Sequence, residues 1–88
     1  MRRTESRVRF EPLAYVIDTK ATGMMIRMQR KSAGFSAQDV ADLLGLASTQ
    51  SIYLWEEGRS LPSIDNLIVL SKVLKTPIDR FLIAERKG

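Results

Sequence analysis

The chain has 88 residues, 44% of them apolar, with a net charge of +4 and a pI near 9.9. That length and composition suit one domain with a modest core, and the chain is too apolar to stay disordered. With no cysteine and no histidine, a disulfide scaffold, thiolate or imidazole metal sites and histidine-based acid–base catalysis are all excluded.

The mild basic excess suits a polyanionic partner. No catalytic residues, cofactor or metal site are expected, so the chain does not read as an enzyme. No apolar run approaches the ~20 residues that a membrane span needs. The start, MRRTESR, lacks the apolar centre of a signal peptide.

Residues 1–19 read as a basic, partly disordered arm, with Arg2, Arg3, Arg7 and Arg9 against Glu5 and Glu11. Within it, FEPLAYVID is different. Pro12 pushes its neighbour toward extended geometry. Leu13, Tyr15 and Ile17 alternate with Ala14, Val16 and Asp18, which predicts a short strand. A lone strand must pair, pack as an extended segment, or dimerise with its twin. Residues 20–84 read as the domain proper and 85–88 as a polar tail.

A first helix is predicted from about Ala21 to Ala33, with Thr19 or Thr22 as its cap. Met24, Met25, Ile26 and Met28 supply apolar contact, the methionines as adaptable core filling. Arg27, Arg30 and Lys31 form a basic side. Gly34 ends this helix and Phe35 tucks into the core. Ser36 then caps a second helix, with Asp39 in the reciprocal capping-box position. Val40, Ala41 and Leu44 are its apolar face, and Gly45 stops it.

Ser48 or Thr49 caps a third helix that carries Ile52 and Trp55 and stops at Gly58. After the loop Arg59-Ser60-Leu61-Pro62, Ser63 caps a fourth, with Asn66 at the reciprocal position. Ile64, Leu67, Ile68, Leu70, Ser71 and Leu74 are spaced as a wide buried stripe. Lys72 and Lys75 complement the negative end of its dipole. Thr76 reads as the cap of a last short helix beginning with Pro77, and Ile78, Phe81 and Leu82 close the bundle. The expected fold is all-α, a compact bundle of about five helices with a short extended N-terminal segment.

From Ile26 to Leu82 the order of features resembles the Cro/repressor-type, or XRE-like, helix-turn-helix family. The matching residues are Ile26 and Arg30 with Gly34-Phe35-Ser36, Val40-Ala41 with Leu44-Gly45, Ile52 and Trp55-Glu56 with Gly58, and Pro62-Ser63 leading to Leu67, Leu70 and Leu74. The resemblance implies a lambda repressor-like bundle that binds double-stranded DNA sequence-specifically, with the third helix, about 49–57, in the major groove. It also implies a small transcriptional regulator, a repressor working as a homodimer, in the cytoplasm and associated with the nucleoid.

Three positions depart from the family pattern. Ala37 stands where glutamine is frequent, with Gln38 one step later. The turn between Gly45 and Ile52 is one residue longer. Gln29 occupies a usual apolar position, with Met28 beside it.

Ile52 and Trp55 must face inward, which leaves Thr49, Gln50, Ser51, Tyr53 and Leu54 as candidate base readers. Gln50 matches the donor and acceptor of adenine, and Leu54 can meet a thymine methyl. Gln38, Arg59, Ser60, Ser63 and Asn66 are the candidate phosphate contacts, beside the free N–H groups that begin the second and fourth helices. Each of these polar residues also suits an ordinary solvated helix end. Trp55 reads as core. Glu56 pairs with an arginine such as Arg30, and Glu57 points away from DNA. The alternative function is a protein-interaction module of antitoxin type, with a toxin or regulator as partner and DNA binding secondary.

Overall fold

The computed structural model describes residues 14–86. The expected arm contacts at Arg2, Arg3, Arg7 and Arg9, and the start of FEPLAYVID, lie outside the described residues. The elements in chain order are β1 (Tyr15–Ile17), α1 (Thr19–Ser32), α2 (Ala37–Leu43), α3 (Gln50–Glu56), α4 (Ile64–Val73), α5 (Ile78–Phe81) and β2 (Ala84–Arg86). The architecture is a five-helix bundle with a small strand pair.

Local side-chain chemistry starts most of the helices. At α2 the capping box forms as the sequence predicts: Ser36 Oγ accepts from Asp39 N at 3.0 Å, and Asp39 accepts from Ser36 N at 2.9 Å. Ser63 Oγ accepts from Asn66 N at 3.1 Å to begin α4. The cap of α1 is neither Thr19 nor Thr22. Asp18 Oδ1 accepts from Ala21 N at 2.9 Å, so the helix begins two residues earlier than predicted. Thr22 is fully buried, and its hydroxyl accepts from Ile83 N at 3.0 Å.

The ends of α1 to α4 share one device. A residue in the left-handed region is followed by an N–H that reaches back five positions to a helix carbonyl: Phe35 to Arg30, Leu46 to Ala41, Arg59 to Leu54 and Thr76 to Ser71. This is the Schellman closure. Gly34, Gly45 and Gly58 supply the left-handed residue in the first three, and Lys75, with φ 51°, in the fourth.

The core gathers one side of each helix: Ile26 from α1, Ala37, Val40 and Ala41 from α2, Ile52 and Trp55 from α3, Leu70 from α4 and Phe81 from α5, joined by Leu74. Burial of the larger of these side chains contributes about 1.5–3 kcal/mol each before entropy is set against it. Several expected core positions are exposed instead. Met24 and Met28 face solvent and only Met25 packs against the core.

The inward place beside them belongs to Gln29. Its amide donates to Met25 Sδ at 3.7 Å and accepts from Thr76 Oγ1 at 3.3 Å, so a polar residue is satisfied where the pattern called for an apolar one. The stripe on α4 is narrower than predicted: Leu67, Leu70 and Leu74 are buried, whereas Ile64 is 73% and Ile68 42% exposed. Thr76 is buried and does not cap α5. Pro77 holds the cap position, with no side-chain bond.

The extended segment pairs within its own chain. β1 runs antiparallel to β2 in the register Tyr15–Arg86, Val16–Glu85 and Ile17–Ala84. Glu85, read from sequence as the start of a polar tail, therefore lies in a strand. Asp18 N donates to Ile83 O at 2.7 Å, which continues the ribbon to the first turn of α1.

The helix-start chemistry is open to a direct check. Ser36→Ala removes the side-chain half of the capping box and is expected to cost about 1 kcal/mol of stability. Urea unfolding of the purified variant reads this, and an unchanged midpoint would mean that α2 needs no cap.

Candidate nucleic-acid interface

The position of α3 follows from what α1 does behind it. α1 and α3 make the most extensive helix–helix contact among the described residues. Gly23 permits it: a Cβ there would lie 2.6 Å from the backbone oxygen of Glu56 and closer still to that of Trp55. Lower down, Arg30 and Glu56 form a buried two-pronged ion pair, Nε to Oε2 at 2.6 Å and Nη2 to Oε1 at 3.0 Å. Arg30 Nη1 also donates to Phe35 O at 3.0 Å.

One guanidinium thus ties the exit of α1 to the last turn of α3. Its hydrogen bonds to Glu56 raise the Arg30 pKa above the ordinary arginine value, against burial, which works the other way. The pairing of Glu56 with Arg30 expected from sequence is present.

Ile52, Trp55 and Glu56 take the inner side of α3. At roughly 100° per residue the opposite side carries Gln50, Leu54 and Glu57, with Tyr53 and Ser51 on its two flanks, so Glu57 shares the outward side of the candidate base readers rather than pointing away from it. Gln50 and Tyr53 are exposed; Thr49, Ser51 and Leu54 are half-buried. The helix entry uses both cap candidates in part. Thr49 sits at the cap position without a side-chain bond, and Ser48 Oγ accepts from Gln50 N at 3.2 Å.

Tyr53 leans toward α1. It lines a cleft of about 380 Å³ with Arg27, Arg30, Lys31, Glu56 and Glu57. From sequence Arg27 and Lys31 read, with Arg30, only as a basic side of the helix, with no link to the third helix. Their i, i+4 spacing was the available signal.

The candidate phosphate contacts lie on α2, in the loop after α3 and at the start of α4. Gln38 is exposed on the first turn of α2 and donates to Asp42 Oδ1 at 2.9 Å. Its neighbour Ala37 is buried in the core, so the position that departs from the family pattern points inward here. Arg59 and Ser60 are exposed directly after α3, Ser63 is exposed at the start of α4, and Asn66 is half-buried one turn on. Arg59 Nη1 lies 3.7 Å from Glu57 Oε1, between side chains that are 71% and 56% exposed. A pair this loose and wet is worth little, so an anion can take the guanidinium at small cost. Among the described residues, no cluster of three or more His, Cys, Asp or Glu side chains could hold a metal ion. No helix there is long and apolar enough to cross a membrane.

A helix-turn-helix family model matches residues 26–81. Among solved structures, the P22 c2 repressor, in a complex with synthetic operator 9T, is 31% identical with a TM-score of 0.66, over 73% of this chain and 96% of that one. The restriction-modification controller protein C.AhdI from Aeromonas hydrophila is 25% identical with a TM-score of 0.66, again over 73% and 96%.

Hydroxypropylphosphonic acid epoxidase from S. wedmorenis matches at 20% identity and a TM-score of 0.65, over 73% of this chain but 34% of its own. That likeness shows the fold alone. Among curated proteins none matches the chain significantly. The family match spans most of the bundle and both turns that frame α3, and on it the chain belongs to the Cro/repressor-type helix-turn-helix family of DNA-binding transcription regulators.

Proposed function

We propose that the chain is a sequence-specific repressor that reads double-stranded DNA with α3 in the major groove. The observation that carries this reading is the two-sided character of α3. Its inner side is fixed by Ile52, Trp55 and the Glu56–Arg30 pair, while Gln50, Tyr53, Arg59 and Ser60 stand exposed. In this reading Gln50 contacts adenine, Leu54 a thymine methyl, and Thr49, Ser51 and Tyr53 the edges of the groove. Gln38, Arg59, Ser60, Ser63 and Asn66 hold phosphates and set the register. Two copies occupy a two-fold site, with half-sites about 34 Å apart or a multiple of it.

A selection from random duplex at controlled salt tests this. An enriched palindrome is the expected result, and a selection that converges on nothing would overturn the reading. On the enriched site, Gln50→Ala is expected to weaken binding by about 1–3 kcal/mol. Equal affinity of variant and parent would remove Gln50 from the reading set. Affinity should also fall steeply as salt rises, since each phosphate contact releases counterions.

One observation favours the second reading, a protein-interaction module of antitoxin type. Leu61, Ile64 and Ile68 expose an apolar edge along α4, and such an edge suits a toxin or regulator as partner. Stable co-purification of one such protein, with no enrichment of duplex, would favour it.

A further inference from the structure

We propose that β1 is the docking edge for a second copy of this chain. The outer edge of β1 pairs antiparallel with the same edge of the other copy, centred on Val16. The product is a four-stranded sheet in the order β2-β1-β1-β2. This deepens the two-copy reading above and rests on it for the biological need; the pairing itself requires no DNA.

Three observations carry the proposal. First, the ribbon has only β1 and β2, so among the described residues each strand keeps one edge without a partner strand. Two strands alone are marginal in water, and an uncharged edge invites pairing. β1 is such an edge: its side chains are Tyr15, Val16 and Ile17, with Tyr15 55% and Val16 42% exposed. β2 is blunted by Glu85 and Arg86.

Second, the register of β1 is self-complementary. A two-fold through Val16 sets Val16 against Val16 and Tyr15 against Ile17, an aromatic and β-branched pairing that stabilises antiparallel strands. Pairing through β2 about its centre would set Glu85 against Glu85, like charges directly opposite. In the β1-centred sheet, the intrachain register keeps each Glu85 outermost, beyond Val16.

Third, the edge is held firmly against the bundle. Asp18, next after β1, caps α1 through Ala21 N and donates its own N–H to Ile83 O, while Ile83 N donates to the buried Thr22 hydroxyl. The ribbon therefore keeps a set orientation to α1, and through α1 to α3. Joining two copies at β1 fixes the distance between their two third helices.

An edge of three residues buries less than the roughly 1,200 Å² of a stable complex. The copies consequently associate weakly when free, and tightly when two half-sites on one duplex raise their effective concentration.

The absence of cysteine makes the test clean. Antiparallel partners lie about 4.5–5.5 Å apart at Cα, within the range of a disulfide. The Val16→Cys chain, concentrated and oxidised with a glutathione redox buffer, is expected to form a disulfide-linked dimer about tenfold faster than a Met24→Cys control, a difference of the size one favourable contact gives. Crosslinking no faster than that control overturns the proposal. So does faster crosslinking of Ile64→Cys, which would move the interface to α4.

A second variant reads the same interface without oxidation. Val16→Lys faces Glu85 favourably within its own ribbon but sets like charges opposite each other across the two-fold, and is expected to weaken two-copy occupancy of a palindromic duplex about tenfold while leaving binding to a single half-site unchanged. Unchanged two-copy occupancy would also overturn it. If the selection enriches no duplex, the DNA reading fails, yet the DNA-free crosslink still decides the edge.

Discussion

Gly23→Ala is expected to destabilise the fold by about 3 kcal/mol, seen as a large drop in the urea midpoint. Alanine at a helix interior ordinarily gains about 1 kcal/mol over glycine, so the sign is the informative part. The added Cβ would sit 2.6 Å from the Glu56 carbonyl oxygen and nearer still to that of Trp55, both backbone atoms of α3. No rotamer change relieves such a contact. α3 would have to retreat from α1, opening the core around Ile26, Ile52 and Trp55. A gain in stability, in line with propensity, would mean that the two helices stand further apart than described.

Glu56→Ala should be the other severe change, costing about 3–5 kcal/mol. The size comes less from the attraction lost than from the charge left behind. Arg30 is buried, and Phe35 O would be its remaining acceptor. Replacing both partners, as Arg30→Met with Glu56→Leu, should recover much of the loss, because no uncompensated charge then remains. A double variant as unstable as the single one would sink that account.

The pair also fixes a pH expectation. The folded Arg30 pKa is raised, so its contribution is fully present below the ordinary arginine value and is lost only as pH climbs through the raised one. Across the neutral range its contribution should stay flat.

How far the sequence reached depended on the range of the interaction. The Ser36–Asp39 box was legible because both partners lie within one helical turn. Gly34, Gly45 and Gly58 were legible as helix ends for the same reason, and Ile52 and Trp55 as the inner side of α3 by spacing. Three kinds of feature were not. Thr22 does not cap α1 because its hydroxyl is occupied by Ile83 N from the far end of the chain.

Gln29 took the inward place next to Met25 and Met28 because Thr76 and Met25 satisfy its amide, and hydrophobic patterning does not register a polar group that is satisfied inside. β2 was invisible because AER has no strand signal of its own and becomes a strand by pairing with Tyr15–Ile17. The candidate interface was read through α3 for bases and through Gln38, Arg59, Ser60, Ser63 and Asn66 for phosphates. That the basic side of α1 flanks Tyr53 emerged only once the two helices were placed together.

The guanidinium of Arg30 has a consequence for how such a protein can change. The helix that faces outward is located from behind, by Gly23 and by the Arg30–Glu56 pair, and the turn before it has less to hold. Of its outward positions, Gln50 is exposed and Tyr53 about half exposed, and neither belongs to the core. Surface substitutions of that kind usually move stability by less than about 0.5 kcal/mol. If α3 reads DNA as proposed, stability and recognition sit on opposite sides of one short helix, and the second can be rewritten while the first is kept.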